Sequence, residues 1–163
     1  MAATPIPTSE RFFAPEISKV FFATTLADYT AYTDTEVTAA QDLTGEIADL
    51  SGFMVSSGMI DTPDLDSRFT KQIGGRTSVD ASSITFYADL AGDDVRTVLP
   101  RGTKGYLIFC DGGYVPTQMS DVYPVEVTSV GKVRSVGDQA MQVTIGFAIS
   151  DEPAEDVEIP AAA

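Results

Sequence analysis

The chain has 163 residues, of which 44% are apolar and 21% charged, a length and composition that suit one globular domain with a core of its own. Twenty-four acidic side chains against ten basic ones leave a net charge of −14, which argues against the Lys- and Arg-based grip by which nucleic-acid-binding proteins hold phosphate backbones. There is no histidine, which removes the commonest general base and zinc ligand and excludes Ser-His-Asp and Cys-His nucleophile chemistry. A lone cysteine, Cys110, excludes an intramolecular disulfide and any multi-cysteine metal site.

The N-terminus has neither a basic n-region nor an apolar h-region, so it does not read as a secretory signal. No apolar run approaches the ~20 residues that span a bilayer. The expectation is a soluble protein made in a reducing cytoplasm. Residues 1–15 carry Pro5, Pro7 and Pro15 with few aliphatics and read as an N-terminal arm. Residues 16–150 then read as one β domain. Ile17 to Thr24, rich in β-branched and aromatic residues, predicts a strand. Thr33, Asp34 and Thr35 are good N-cap types, and Glu36 to Gln41 predicts a short helix. Leu43–Leu50 and Phe53–Ile60 predict two strands around a Ser51-Gly52 turn. Residues 61–81 are polar, with Gly74-Gly75 in the middle, and are long for a connection inside a compact domain; they predict a projecting hairpin or a loop with a task.

Ser83 to Ala88 returns to strand pattern. Gly92 to Leu99, with acids at its start and Pro100 after it, predicts a short helix burying Val95, Val98 and Leu99. Lys104 to Asp111 predicts a buried strand closed by an Asp111-Gly112-Gly113 turn, with Cys110 as a small core hydrophobe. Val122 to Val130 predicts a strand whose Pro124 implies an edge or a bulge. Met141, Val143, Ile145, Phe147 and Ile149 alternate strictly with Gln142, Thr144, Gly146 and Ala148, which predicts a strand with one buried and one accessible face. Residues 151–163, with five acids and no base, read as a flexible acidic tail. The sum is a mainly β chain: an antiparallel β-sandwich or small barrel of six or seven strands with a flanking short helix.

Motifs that carry chemistry are scarce. Gly131-Lys132 lacks the rest of a phosphate loop. Nothing marks a carboxylate pair for glycoside hydrolysis, and no tryptophan is present to stack a sugar. Asp61, Asp64 and Asp66 miss the EF-hand spacing and read as a solvated turn bent at Pro63. The basic residues Arg68, Lys71, Arg76, Arg96, Arg101, Lys104, Lys132 and Arg134 are scattered; they read either as solvated surface or as partners for acids of a neighbouring subunit.

Three stretches carry a resemblance: Thr62-Pro63-Asp64-Leu65-Asp66-Ser67-Arg68-Phe69-Thr70; Gly92-Asp93-Asp94-Val95-Arg96-Thr97-Val98-Leu99-Pro100-Arg101-Gly102-Thr103; and Val136-Gly137-Asp138-Gln139 leading to Phe147-Ala148-Ile149-Ser150-Asp151-Glu152-Pro153-Ala154-Glu155. With them the chain, over roughly residues 17–160, resembles the major tail (tail tube) proteins of long-tailed bacteriophages, particularly those of actinobacteria. The resemblance implies a structural, non-enzymatic virion protein without cofactor or metal. It implies hexameric rings stacked into a tube around a tape measure protein, with a tail terminator and a distal tail protein at the ends. Double-stranded DNA would pass through the lumen without specific binding, repelled by the acidic charge. Such a protein assembles in the host cytoplasm, works in the virion tail and does not insert in a membrane. In that frame residues 61–81 would be the inter-ring loop, with Asp61, Asp64, Asp66, Arg68, Phe69, Lys71 and Arg76 as contact candidates. Gln142, Thr144 and Gly146 would pair with a neighbour or line the channel. A tail terminator, a capsid decoration protein and a monomeric β-sandwich binding module are the alternatives.

Overall fold

A computed structural model describes residues 3–163; the first two residues of the expected N-terminal arm lie outside the described residues. Residues 3–13 have neither helix nor strand and are exposed. After them come β1 (Lys19–Ala23), α1 (Asp34–Thr38), β2 (Gln41–Asp42), a 3-10 turn (Thr44–Glu46) and β3 (Ile47–Ser51). Then follow β4 (Val55–Thr62), β5 (Lys71–Val79), β6 (Ser82–Tyr87), α2 (Val95–Val98), β7 (Lys104–Cys110), β8 (Met119–Val133), β9 (Gln142–Ile149) and β10 (Ala154–Glu158). Eight strands make one antiparallel sheet in the order β2-β1-β7-β8-β9-β6-β3, with β10 also on β8; β4 and β5 pair only with each other. The mainly β, antiparallel architecture expected from the sequence is the one observed.

The large sheet closes on itself. Val20 and Phe22 of β1 share a core cluster with Ile84 and Phe86 of β6, although three strands separate β1 from β6. Leu107, Tyr123, Val125, Val143, Ile145 and Phe147 fill the space between, and Val95 and Leu99 of α2 join them. A second cluster lies on the opposite face of β1, β7 and β8, where Ala23, Ile108, Cys110 and Val122 meet Tyr32, Val37 of α1, Val157 of β10 and Ile159. β7 is therefore covered on both faces, which is why Tyr106 to Cys110 is an unbroken apolar run and not an alternating one. Burial pushes the Cys110 thiol up to about 12, so it is an inert core group.

Both helices start where their sequence has a cap. The Thr33 hydroxyl accepts the Glu36 amide at 3.4 Å and the Glu36 carboxylate accepts the Thr33 amide at 2.8 Å, a capping box. Asp94 caps α2, accepting the Arg96 amide at 3.0 Å and gripping the Arg96 guanidinium at 2.7 and 2.6 Å.

Four expectations need correction. The acidic tail is not flexible throughout: residues 154–158 form β10, and Val157 and Ile159 are buried. Its acids face solvent and conceal two apolar anchors that composition averages away. Asp156 donates its amide to Asp121 at 3.0 Å, and the Ala163 amide reaches the Asp34 carboxylate at 3.0 Å. Pro124 lies neither on an edge strand nor at a bulge, because β8 has neighbours on both sides. Its carbonyl accepts the Ser150 amide at 2.9 Å, so its missing N–H faces the stretch between the end of β9 at Val125 and the start of β10 at Val122. The predicted strand Leu43–Leu50 begins later, after the 3-10 turn, and pairs with β6 instead of with the next strand. Finally, the expected turn at residues 111–113 is present, with the Gly113 amide donating to the Cys110 carbonyl at 3.0 Å, but it only opens an eight-residue connection, 111–118, between β7 and β8.

Candidate assembly surfaces

The β4–β5 hairpin stands apart from the core. Its register runs from Val55 opposite Val79 to Thr62 opposite Lys71, so the polar segment expected between residues 61 and 81 is a projecting hairpin whose first strand starts six residues earlier. Between Ser57 and Met59 the register slips by one residue at Gly75-Arg76, a β-bulge that twists the ribbon. The bulge leaves little room for a side chain: a Cβ on Gly75 would come within 3.1 Å of the Gly58 carbonyl oxygen.

Each predicted contact residue can now be placed. Asp64 holds the tip together: its carboxylate accepts the amides of Asp66 at 3.1 Å and Ser67 at 2.9 Å, and pairs with Lys71 at 2.9 Å. Chiefly through the Lys71 bond, its carboxyl is held below the ordinary carboxylate range. Asp61 accepts the Gln72 side-chain amide at 2.7 Å across the strands. Asp64, Lys71 and Asp61 are thus engaged within the hairpin itself. The side chains of Asp66, Arg68 and Arg76 have no hydrogen bond or ion pair among the described residues, and Phe69 is 74% exposed. What sequence reasoning missed is the apolar character of this ribbon. Met59, Ile60, Leu65 and Ile73 are exposed alongside Phe69. The signal was present in Met59-Ile60, at the end of the predicted strand Phe53–Ile60.

The hairpin is rooted in the core through Phe53. That residue sits at φ 57, a left-handed conformation uncommon for a bulky side chain. Its ring packs on Phe109 at 4.9 Å, Tyr123 at 5.4 Å and Phe147 at 6.1 Å between centroids. Its carbonyl accepts the Tyr123 hydroxyl at 2.7 Å, and its amide donates to Ser82 at 2.9 Å.

The second candidate surface is the accessible face of β9. Gln142, Thr144 and Gly146 lie side by side with Tyr87, Thr85 and Ser83 of β6 on one flank and with Val133, Gly131 and Ser129 of β8 on the other. The hydroxyls of Thr85 and Thr144 are 2.9 Å apart. A Cβ on Gly146 would collide with the Ser129 hydroxyl, so the Gly146 end of this face is closely packed. Asp49, opposite Thr85, and the Lys104–Glu126 ion pair at 3.6 Å sit at its margins; the centre carries no charge.

Of the basic residues, Lys71, Arg96 and Lys104 are already paired within the chain. The arrangement offers packing, sheet edges and charge, and among the described residues no cluster of three His, Cys, Asp or Glu side chains could hold a metal. No described helix is long and apolar enough to cross a membrane.

The structure of the tube-terminating cap of the anti-feeding prophage superposes with a TM-score of 0.56 at 14% identity, covering 99% of this chain and 100% of that one, a likeness of fold. A chain of the six-fold symmetrised baseplate of the same particle gives 0.48 at 10% identity, over 92% of this chain and 95% of that one. No curated protein matches the sequence. The profile of phage tail tube proteins matches residues 6–162. The match covers nearly the whole chain, so the chain belongs to the phage tail tube protein family, a structural and non-enzymatic family of the virion tail.

Proposed function

We propose that copies of this chain close into hexameric rings, that the rings stack as the tail tube, and that the channel delivers the genome into the host. The observation that carries the reading is the β4–β5 hairpin. A two-stranded ribbon is marginal in water by itself, and this one exposes Met59, Ile60, Phe69 and Ile73. Ile60 and Ile73 pair across the strands on one face of the ribbon and Met59 lies on the other, and these bare side chains need a neighbour. In this reading the hairpin spans to the adjacent ring. Arg68 and Arg76 meet acids there, Phe69 packs, and Asp61, Asp64 and Lys71 keep the tip in shape; Asp66 adds an acid to the contact. Head-to-tail contact of this kind builds a filament.

The face of Gln142, Thr144 and Gly146 lines the lumen. Small neutral side chains give DNA nothing to grip, and the net charge of −14 repels it at longer range. A tape measure protein occupies the tube before ejection, and terminator and distal tail proteins close its ends.

The test is negative-stain electron microscopy of the concentrated protein beside a variant in which residues 62–80 are replaced by a short Gly-Ser linker. Hollow tubes from the parent and none from the variant are expected. Tubes from both would remove the inter-ring role, and a parent that stays monomeric even with its tail partners would remove the tube.

A further inference from the structure

Strand alternation gathers on one face of β7 and β8 a set of side chains that none of the roles above uses. Phe109 stands opposite Asp121 across the two strands. Asp111 follows Phe109 by two positions and Tyr123 follows Asp121 by two, so the four share a face. Leu50 and Phe53, from the end of β3 and the root of the hairpin, close a groove of about 190 Å³ with them. Cavities of roughly 150 Å³ already hold a benzene-sized molecule. The walls are aromatic: the rings of Phe53, Phe109 and Tyr123 meet tilted or edge-on, at 4.9 to 5.6 Å. The Tyr123 hydroxyl is committed to the Phe53 carbonyl at 2.7 Å, so it does not serve the acids.

Those acids lack a counter-charge. Neither Asp111 nor Asp121 forms an ion pair among the described residues. Lys19 stands opposite Cys110 and therefore lies on the other face of the sheet. The Asp121 carboxylate accepts the Asp156 amide at 3.0 Å, a neutral donor that leaves its charge in place. Partial desolvation, followed by the Asp121 charge, raises the Asp111 carboxyl above its usual range, as two like charges held close together do. Glu155 adds a further acid near Tyr123. A cation in this groove would be stabilised twice, by the carboxylates and by the negative faces of the rings.

We propose that the groove binds a small organic cation, an alkylguanidinium or alkylammonium ion, with its charged head between Asp111 and Asp121 and its alkyl stem against Leu50, Phe53 and Phe109. A bare metal ion fits poorly, because two carboxylates among aromatic rings offer too few oxygens for a hard cation. The guanidinium form binds the tighter of the two: it is planar and weakly hydrated, and it offers its edge to a carboxylate and its face to a ring. The site lies within a single copy, so the inference goes beyond the tube reading and stands without it. Its consequence still reaches the hairpin. Phe53 is a wall of the groove and β4 begins two residues later, at Val55, so an occupied groove holds the base of the hairpin against β7 and β8.

The test is equilibrium dialysis of the full-length protein against propylguanidinium, propylammonium and the neutral propylurea, with hydrogen exchange followed in the same samples. Both cations should fill one saturable site per chain, and propylurea should bind at least about tenfold more weakly. Asp111→Asn and Asp121→Asn should each weaken the cations about tenfold. Both variants should keep the parent's thermal midpoint or raise it, because each removes a like-charge contact and Asn at position 121 still offers an oxygen to the Asp156 amide. Glu10→Gln with Asp138→Asn removes the same kind of charge from exposed positions elsewhere and should leave binding unchanged. Bound cation should slow exchange over residues 50–55. Equal uptake of propylurea overturns the proposal, as does binding that survives both aspartate changes. Binding that falls as far in the Glu10 and Asp138 control overturns it too, since that is only the general pull of a chain with net charge −14. Binding without protection of residues 50–55 places the cation elsewhere and has the same force.

Discussion

The large sheet and the β4–β5 hairpin are both made of β-prone residues, and they differ in what covers them. β9 alternates apolar and small residues so that Val143, Ile145 and Phe147 vanish into the core. β4 also carries apolar side chains, Met59 and Ile60, yet both stay exposed. The first sheet satisfies itself, down to its buried hydroxyls, and no buried side-chain polar atom among the described residues lacks a partner. The second satisfies its backbone pairs and leaves its side chains unfinished. What holds the fold together and what joins copies in the proposed assembly thus sit on separate strands of one chain, and substitutions should separate them.

The largest effect on folding should come from the closed sheet. Phe86 is fully buried between β6 and the strands opposite. Phe86→Ala should cost about 3–5 kcal/mol through lost transfer energy and a cavity, read as a lower urea midpoint with an unchanged slope. A variant that unfolds as the parent does would mean that the sheet does not close over this ring.

Next come the polar ties of the second cluster. The Tyr32 hydroxyl lies 2.6 Å from the Ser120 oxygen, which itself donates to the Val157 carbonyl at 3.0 Å. Burial pushes the Tyr32 phenol up to about 12. Ser120→Ala strands both partners in the interior and should cost about 1–3 kcal/mol, with hydrogen exchange rising first in β10. Exchange that rises uniformly instead would show β10 to be no separate flap.

Asp94→Ala should cost somewhat less, about 1–2 kcal/mol for the lost cap, and should change the pH profile as well. The Arg96 guanidinium holds the Asp94 carboxyl far below the ordinary carboxylate range. A carboxyl with a depressed folded pKa adds stability above its unfolded value, near pH 4, and loses it as pH falls further. The variant should therefore show a shallower loss of stability below about pH 4 than the parent in acid titrations followed by circular dichroism.

The cap at Asp94 also marks what the sequence made legible. The period-two pattern of residues 141–149 and the acids before Val95 were readable because local rules act on them alone: alternation for a half-buried strand, a capping carboxylate for a helix start. Pro124 and the tail were misread because their environment is set by distant chain. β10 exists only because β8 runs past the end of β9, and two apolar residues, Val157 and Ile159, suffice to dock it. The hairpin was foreseen as a projection, and its exposed apolar side chains were not. Whether Met59 and Ile60 are covered depends on a sheet face to cover them, and none in this chain does so. A groove around Phe53 gathers residues from three separate segments, 50–53, 109–111 and 121–123, so no stretch of sequence could announce it.

The hairpin offers the sharpest form of the comparison because its substitution should be almost silent in the fold. Met59→Ser with Ile60→Ser alters side chains that are 75% and 51% exposed, and changes at such positions usually stay within about 0.5 kcal/mol. The monomer should therefore unfold at the parent's urea midpoint. Its capacity to form tubes should be lost, because the same side chains supply the apolar area that a neighbouring copy would bury, at ~25 cal/mol per Å² repeated at every junction of the stack. Loss of both properties would mean that the hairpin packs on its own core in solution. Loss of neither would move the contact from the middle of β4 to the tip, onto Leu65, Arg68 and Phe69, where charge reversal at Arg68 then becomes the deciding substitution.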